Sequence, residues 1–284
     1  MTTVQLTSKR AGTSVERALA PVDDGFMAYW QARGAARRRM LQAARATMRE
    51  YRLSEYGYTS PAALLTSPDA QPKTGKSKVR TLTLMLVPFL SDFGNACPAA
   101  SAGCGAACLN TAGKGSMPAT VRARHARMGF AMAWPWEFGV ILAHEILADI
   151  RKHGRIGIRL NCVSDIRWEL ATPRMTGTLA ACRRVSMYDY TAWPARLRDV
   201  PAGYHLTYSA KETHTVDDIR AMLAHGNVAV PFAVRPRQEM HAQWHGMPVN
   251  DGDVSDYRPG DASGVIVGLR AKGAARADRS GFVR

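Results

Sequence analysis

Thr81-Leu82-Thr83-Leu84-Met85-Leu86-Val87-Pro88 is the stretch on which the fold turns. Its apolar run is too short for a buried helix and is closed by a proline, so it reads as a buried strand. A loop rich in small residues follows at once: Cys97-Pro98-Ala99-Ala100-Ser101-Ala102-Gly103-Cys104-Gly105-Ala106-Ala107-Cys108. Three of the five cysteines of the chain sit in these twelve positions. Core cysteines scatter with helix or strand period and have no reason to bunch in such a loop. The expectation is therefore a metal or cluster site at Cys97, Cys104 and Cys108, either zinc or an iron–sulfur cluster with one iron left open. Inert small core residues and a redox pair are the competing readings. Cys162 and Cys182 lie in apolar segments and read as core.

Outward from this stretch the strand rhythm repeats. Further strands are expected at 156–162, 185–190, 204–208, 228–234 and 265–269. Helices are expected at 119–133, 135–153, 173–183 and 215–225, with Thr215 and Asp218 forming a capping box. Six short apolar strands alternating with helices imply parallel pairing and an α/β architecture. A partial, TIM-like (β/α)6 barrel fits better than a doubly wound sheet, because no G-x-G-x-x-G follows the first strand. Upstream, residues 1–22 read as a disordered tail and 23–79 as a basic helical extension and linker; the barrel domain is expected at 80–284. The 23–52 helix carries Arg37, Arg38 and Arg39, and Gly34 is expected to weaken its middle. Gly75-Lys76-Ser77 is no phosphate loop, lacking the first glycine and a preceding strand.

The 284 residues hold 38 Lys and Arg against 23 Asp and Glu, a net charge of +15 that implies a polyanionic partner, nucleic acid first among them. Candidate backbone contacts are Arg37, Arg38, Arg39, Arg122 and Arg124, and 270–279 adds a basic tail. The N-terminus lacks the apolar core of a signal peptide and no run is long enough to cross a bilayer, so a cytoplasmic protein with no membrane partner is expected.

In a barrel the chemistry gathers at the carboxyl ends of the strands. Those ends place Asp165, Glu169 and Asp189 as candidate catalytic carboxylates, with Arg159, Asn161, Ser164, His205, Ser209 and Lys272 as candidate substrate contacts. As structure, Asp165 would cap the next helix and Glu169 would pair with Arg167 or Arg174. His125, His144, His241 and His245 offer a fourth metal ligand, but without ligand spacing the reading as core or solvated histidines is better. Residues 243–256 read as a loop over the pocket mouth, with Asn250-Asp251-Gly252 as a hairpin tip.

The run from Cys97 to Cys104 with Cys108-Leu109, then Arg159-Leu160-Asn161, Ser164-Asp165-Ile166-Arg167-Trp168-Glu169, Tyr188-Asp189-Tyr190-Thr191 and the ending from Gly268 to Gly273 resemble phage and plasmid proteins of the gene product 88 group. The resemblance covers about residues 80–284 and implies a mobile-element origin. More distantly, a cysteine triplet after the first strand is similar to that of the radical SAM enzymes. That resemblance implies a [4Fe-4S] cluster on Cys97, Cys104 and Cys108 binding S-adenosylmethionine, with 164–169 where the superfamily has Gly-Gly-Glu. The spacing here is C-x6-C-x3-C rather than C-x3-C-x2-C. A looser likeness, to the tRNA-guanine transglycosylases, implies zinc and a catalytic pair at Asp165 and Asp189. The expectation is thus an enzyme acting on nucleic acid, DNA or RNA, or on a nucleotide through an iron–sulfur cluster. The alternatives are a zinc-containing base-modifying enzyme, or a non-catalytic DNA-binding protein whose metal staples the loop.

Overall fold

A computed structural model describes residues 13–59, 63–68 and 79–284. In it a short strand β1 (Leu65–Thr66) pairs antiparallel with β2 (Thr81–Leu84), the strand expected from the opening stretch. A two-stranded hairpin, β3 (Leu90–Ser91) and β4 (Gly94–Asn95), then leads into the cysteine loop. The strands β5 (Ile156–Arg159), β6 (Val185–Thr191), β7 (Tyr204–Ser209) and β8 (Val228–Phe232) add to β2 in parallel and in chain order. Beyond them come β9 (Gln243–Trp244), β10 (Met247–Asp251) and β11 (Ile266–Arg270), giving a nine-stranded sheet in the order β1-β2-β5-β6-β7-β8-β11-β10-β9. Among the described residues its edges, β1 and β9, do not meet, so the sheet is mixed, mostly parallel and open; a closed barrel is not formed.

Strand register separates two faces. Leu82 lies beside Ile158, Ile158 beside Met187 and Met187 beside Tyr204, and this row joins the main core against the helices. The opposite row carries Thr81, Thr83, Arg159, Tyr188, His205 and Thr207, a polar surface. The connection between β10 and β11 crosses that surface: Asp256 pairs with Arg159, and the Tyr257 hydroxyl donates to Ser186 Oγ at 2.8 Å. Residues 243–256 are thus two strands and a strap rather than a loop over a pocket mouth. Asp251 ends the parallel strand β10, so Asn250-Asp251-Gly252 is no hairpin tip.

The N-terminal region corrects the expected domain plan. Thr13 caps α1 (Ser14–Ala18) in a capping box with Glu16, and Val15 and Leu19 are fully buried. The expected disorder therefore fails from residue 13 onward; its first twelve positions lie outside the described residues. The helices α2 (Pro21–Gln31) and α3 (Gly34–Tyr56) break at Gly34 as the glycine suggested, but they do not form a separate extension. Beyond α4 (Ala102–Ala106), Pro118–Ala133 forms α5 and Pro135–His153 forms α6, the latter running from an N-terminal proline to Gly154. Glycines let α2 and α6 touch backbone to backbone. A Cβ on Gly25 would stand 1.9 Å from the Trp136 carbonyl oxygen, and one on Gly139 2.2 Å from that of Val22. The Lys- and Pro-bearing stretch 69–78, with Gly75-Lys76-Ser77, lies outside the described residues. No helix among the described residues is long and apolar enough to cross a membrane.

Candidate functional site

The loops after β2, β5 and β7 converge at the carboxyl ends of the parallel strands. Cys97 Sγ accepts from Phe89 N at 3.3 Å and lies 3.8 Å from the Val163 carbonyl oxygen, while Asp165 N donates to Ala96 O at 2.9 Å. Cys104 sits in α4, whose cap Ser101 accepts from Cys104 N at 3.2 Å. Glu212, just past β7, accepts from Ser101 Oγ and from Gly103 N. Small residues are needed here: a Cβ on Gly103 would stand 2.7 Å from Glu212 Oε2. The sequence reading therefore brought the cysteine loop, Asp165 and the end of β7 to one place.

The thiols are not arranged as ligands. Burial, with a smaller contribution from the field of Asp165 and the other thiols, pushes Cys97 up to about 12 and Cys104 up to about 11. Burial also raises Cys108. All five cysteines are free, and among the described residues no three His, Cys, Asp or Glu side chains group closely enough to hold a metal ion. The expected [4Fe-4S] cluster with S-adenosylmethionine, and zinc as its alternative, are overturned on this ground. The four histidines weighed as ligands are taken up elsewhere: His144 Nδ1 meets the Tyr29 hydroxyl at 2.7 Å, and His125, His241 and His245 pack against Phe93, Phe232 and Trp244.

Asp165 and Glu169 share one cation, Arg196 of the short helix α9 (Arg196–Asp199), which follows α7 (Trp168–Ala171) and α8 (Pro173–Ala181). Arg196 Nη1 reaches Asp165 Oδ1 at 2.9 Å, and its Nε and Nη2 grip Glu169 at 2.8 Å. Asp165 Oδ2 also accepts from Ala192 N at 2.8 Å. Asp165 thus neither caps the following helix nor leaves Glu169 to Arg167 or Arg174. Burial raises Asp165, and Arg196 opposes the rise. Burial lowers the ammonium of Lys211, two residues past the end of β7, and the field of Asp165 opposes this. Its Nζ makes no ion pair or hydrogen bond among the described residues.

The remaining candidates are dispersed. Asp189 is fully buried beneath the loop, accepting from Asn161 N at 2.9 Å and from the Tyr204 hydroxyl at 2.7 Å, and burial raises it to about 6. Asn161 spends its amide on Ile166 O, and its oxygen accepts from Ser164 and Ile166 N. Arg159 lies over Tyr190 and pairs with Asp256 on the polar face of the sheet. His205 begins β7, so it lies at the opposite end from the site, while Ser209 ends that strand. Lys272 is held by Asp253 at 2.6 Å and Arg270 by Asp251 at 2.8 Å, which removes the core of the supposed basic tail. Cys162, read as apolar core, lies in the field of Arg159, Asp256, Asp189 and Arg124.

The basic candidates divide. Arg124 is buried and donates to Gly115 O at 2.9 Å, and Arg37 lies over the Tyr29 ring and donates to Trp30 O. Arg38, Arg39 and Arg122 are exposed. Arg45 and Arg49, arginines of the same basic helix, line with Arg38 and Gln42 a concavity along α3. Arg38, Arg45 and Arg49 form no ion pair among the described residues. Burial and then the field of Arg45, Arg151 and Arg37 drive the neighbouring His144 down to about 4. Positions i, i+7 and i+11 on one helix carried the signal for this stripe; Lys211 was legible as a polar residue just past a strand end, and nothing in the sequence singled out Arg196.

A family model described as gene product 88 matches residues 62–284. No curated protein and no solved structure matches the chain.

Proposed function

The chain belongs to the gene product 88 family, and from that premise we propose a phage protein that binds nucleic acid along α3 and works on it at its strand ends. The observation that carries the reading is the stripe of Arg38, Arg45 and Arg49, exposed and without an ion pair among the described residues. A stripe of this kind neutralises phosphates and releases counterions, giving affinity that falls with salt. The end of α3 leads toward the cysteine loop: Tyr51 and Tyr56 from α3 and Phe93 from the β3–β4 hairpin close on Gly129 of α5. A polymer on the stripe is thereby directed to the strand-end site. There Asp165, which burial raises against the field of Arg196, and Lys211, which burial lowers, are the candidate groups for proton transfer to a bound nucleotide.

Fluorescence anisotropy with labelled DNA and RNA, single- and double-stranded, tests the binding. Affinity should fall with log[salt], and changing Arg38, Arg45 and Arg49 together to Gln should reduce that slope by up to about 3. Salt-independent binding, or a triple variant that binds like the parent, would sink the proposal.

A further inference from the structure

Phe89, immediately before β3, holds φ at 54°, in the left-handed region that a bulky L residue seldom adopts. Its backbone is tied there on both sides. Its N–H donates to Cys97 Sγ at 3.3 Å, and its carbonyl oxygen accepts from Ala96 N at 3.1 Å. Such a conformation persists only where the surroundings impose it, and glycine would adopt it without strain. The ring is not a core group that would explain the choice: Phe89 is 40% exposed, and Leu90 beside it is exposed as well. Gly105 of α4 faces the ring tip, since a Cβ there would lie 3.5 Å from Cζ and 3.7 Å from Cε1 and Cε2. Ala96 links the arrangement to the strand-end site, because it also accepts from Asp165 N. A flat aromatic group is thus held open to solvent at the rim of that site.

The chain around this ring is cationic. No Asp or Glu occurs between Asp92 and Glu137, while Lys114, Arg122, Arg124 and Arg127 do. Lys114 and Arg122 are exposed and form no ion pair among the described residues. Cys104, next to Gly105, lies in the field of Lys211. We infer that Phe89 is a stacking platform for an unpaired base of a single-stranded nucleic acid, DNA or RNA. The inference rests on the reading of α3 as a nucleic-acid surface, and adds which form of the polymer reaches the strand ends. An unstacked base offers the plane that an open aromatic ring matches, and its phosphates offer the negative charge that this stretch lacks. Bases in a duplex stay stacked on one another and present no face to a side ring. An acidic peptide brings the charge without the plane, and an apolar protein surface brings no charge.

Fluorescence anisotropy of the full chain with labelled single strands and with duplexes of the same sequence tests the platform. Single strands should bind more tightly than duplexes. Phe89→Gly removes the ring and the strain together, and Phe89→Leu removes the ring but keeps apolar bulk, so at least one of the two keeps the fold. Each should weaken single-strand binding by about five- to a hundredfold, the span of one lost base stack. Neither should change duplex binding or the slope of affinity against log[salt], because stacking releases no counterions. Phe89→Tyr should bind like the parent. If the parent binds no nucleic acid, the reading of α3 falls and this inference falls with it. If the parent binds with the expected salt dependence, but prefers duplex or is indifferent to the loss of the ring, the platform alone is overturned. It is equally overturned if Phe89→Leu binds nucleic acid normally and only its elution volume changes, which would assign the ring to a protein contact.

Discussion

Glu16 and Arg167, 151 positions apart, close a buried two-pronged ion pair, with Nε on Oε1 at 2.9 Å and Nη2 on Oε2 at 2.8 Å. Glu16 also accepts from Thr13 N at 2.7 Å and from Arg167 N at 3.0 Å, while the guanidinium lies 4.4 Å from the centre of the Trp193 ring. The pair fastens α1 to the loop that carries Asp165. Removing one partner leaves the other charge buried and alone, which costs about 3–5 kcal/mol. Glu16→Ala should therefore lower the urea midpoint by a matching amount with little change in slope. A loss under about 1 kcal/mol would show that α1 is only resting on the domain.

Arg196 does for two carboxylates what Arg167 does for one. Arg196→Met leaves Asp165 buried beside Glu169 without the cation that opposed the rise in its proton affinity. Asp165 then carries a folded-state pKa further above its unfolded one. Its stabilising contribution is retained below the unfolded value and lost as pH rises through the folded one. The variant should be several kcal/mol less stable at neutral pH and regain part of the deficit near pH 5. A deficit that does not change with pH would mean the loss is one of packing alone.

The contact between α2 and α6 depends on hydrogen where any other residue has carbon. Gly25→Ala must push a methyl into the Trp136 carbonyl, and Gly139→Ala into that of Val22, so the two helices must part. The neighbouring buried side chains, Phe26 and Phe138 among them, then lose packing. Each variant should cost about 3 kcal/mol, despite the better helix propensity of alanine. Gly177→Ala makes the contrast: nothing lies within 4 Å of its added Cβ, so it should be neutral or slightly stabilising.

Much of the sheet was legible because its strands are buried on both faces and read as short apolar runs between turn signals. Each strand expected from β2 to β11 is present within a few residues, as is the capping box at Thr215 and Asp218. The parts that failed involve long-range pairing. Nothing in the run around Glu16 announces that its partner is Arg167, so a mixed polar segment read as disorder. Cysteine spacing likewise reports sequence proximity, while ligation depends on where the fold places the thiols. Strand β10 was missed because Met247-Pro248-Val249-Asn250-Asp251 is half exposed and holds a proline near a sheet edge, where strands look like loops. Arg45 and Arg49 were legible in principle, since the stripe needs only the helical period.

Adjacent residues of α6 titrate in opposite senses. Glu145 accepts from Leu64 N at 2.9 Å and Leu65 N at 2.8 Å, and burial raises it to about 7 from its ordinary 4.5. Its folded pKa exceeds the unfolded one, so it stabilises the fold below about 4.5 and that stability is lost as pH rises to about 7. His144 is lowered to about 4 from 6.5, so its contribution is present above about 6.5 and is lost as pH falls to about 4. Between about 4.5 and 6.5 the two slopes oppose, each bounded by roughly 1.4 kcal/mol per pH unit. Glu145→Gln should make stability climb with pH more steeply than in the parent, and His144→Gln should make it fall more steeply. Urea midpoints at about pH 5, 6 and 7 read this directly, and the difference between the two variants cancels groups common to both, Asp189 included. Parallel profiles for parent and variants would mean that neither group keeps its shifted proton affinity, and that α6 admits water beside Leu64.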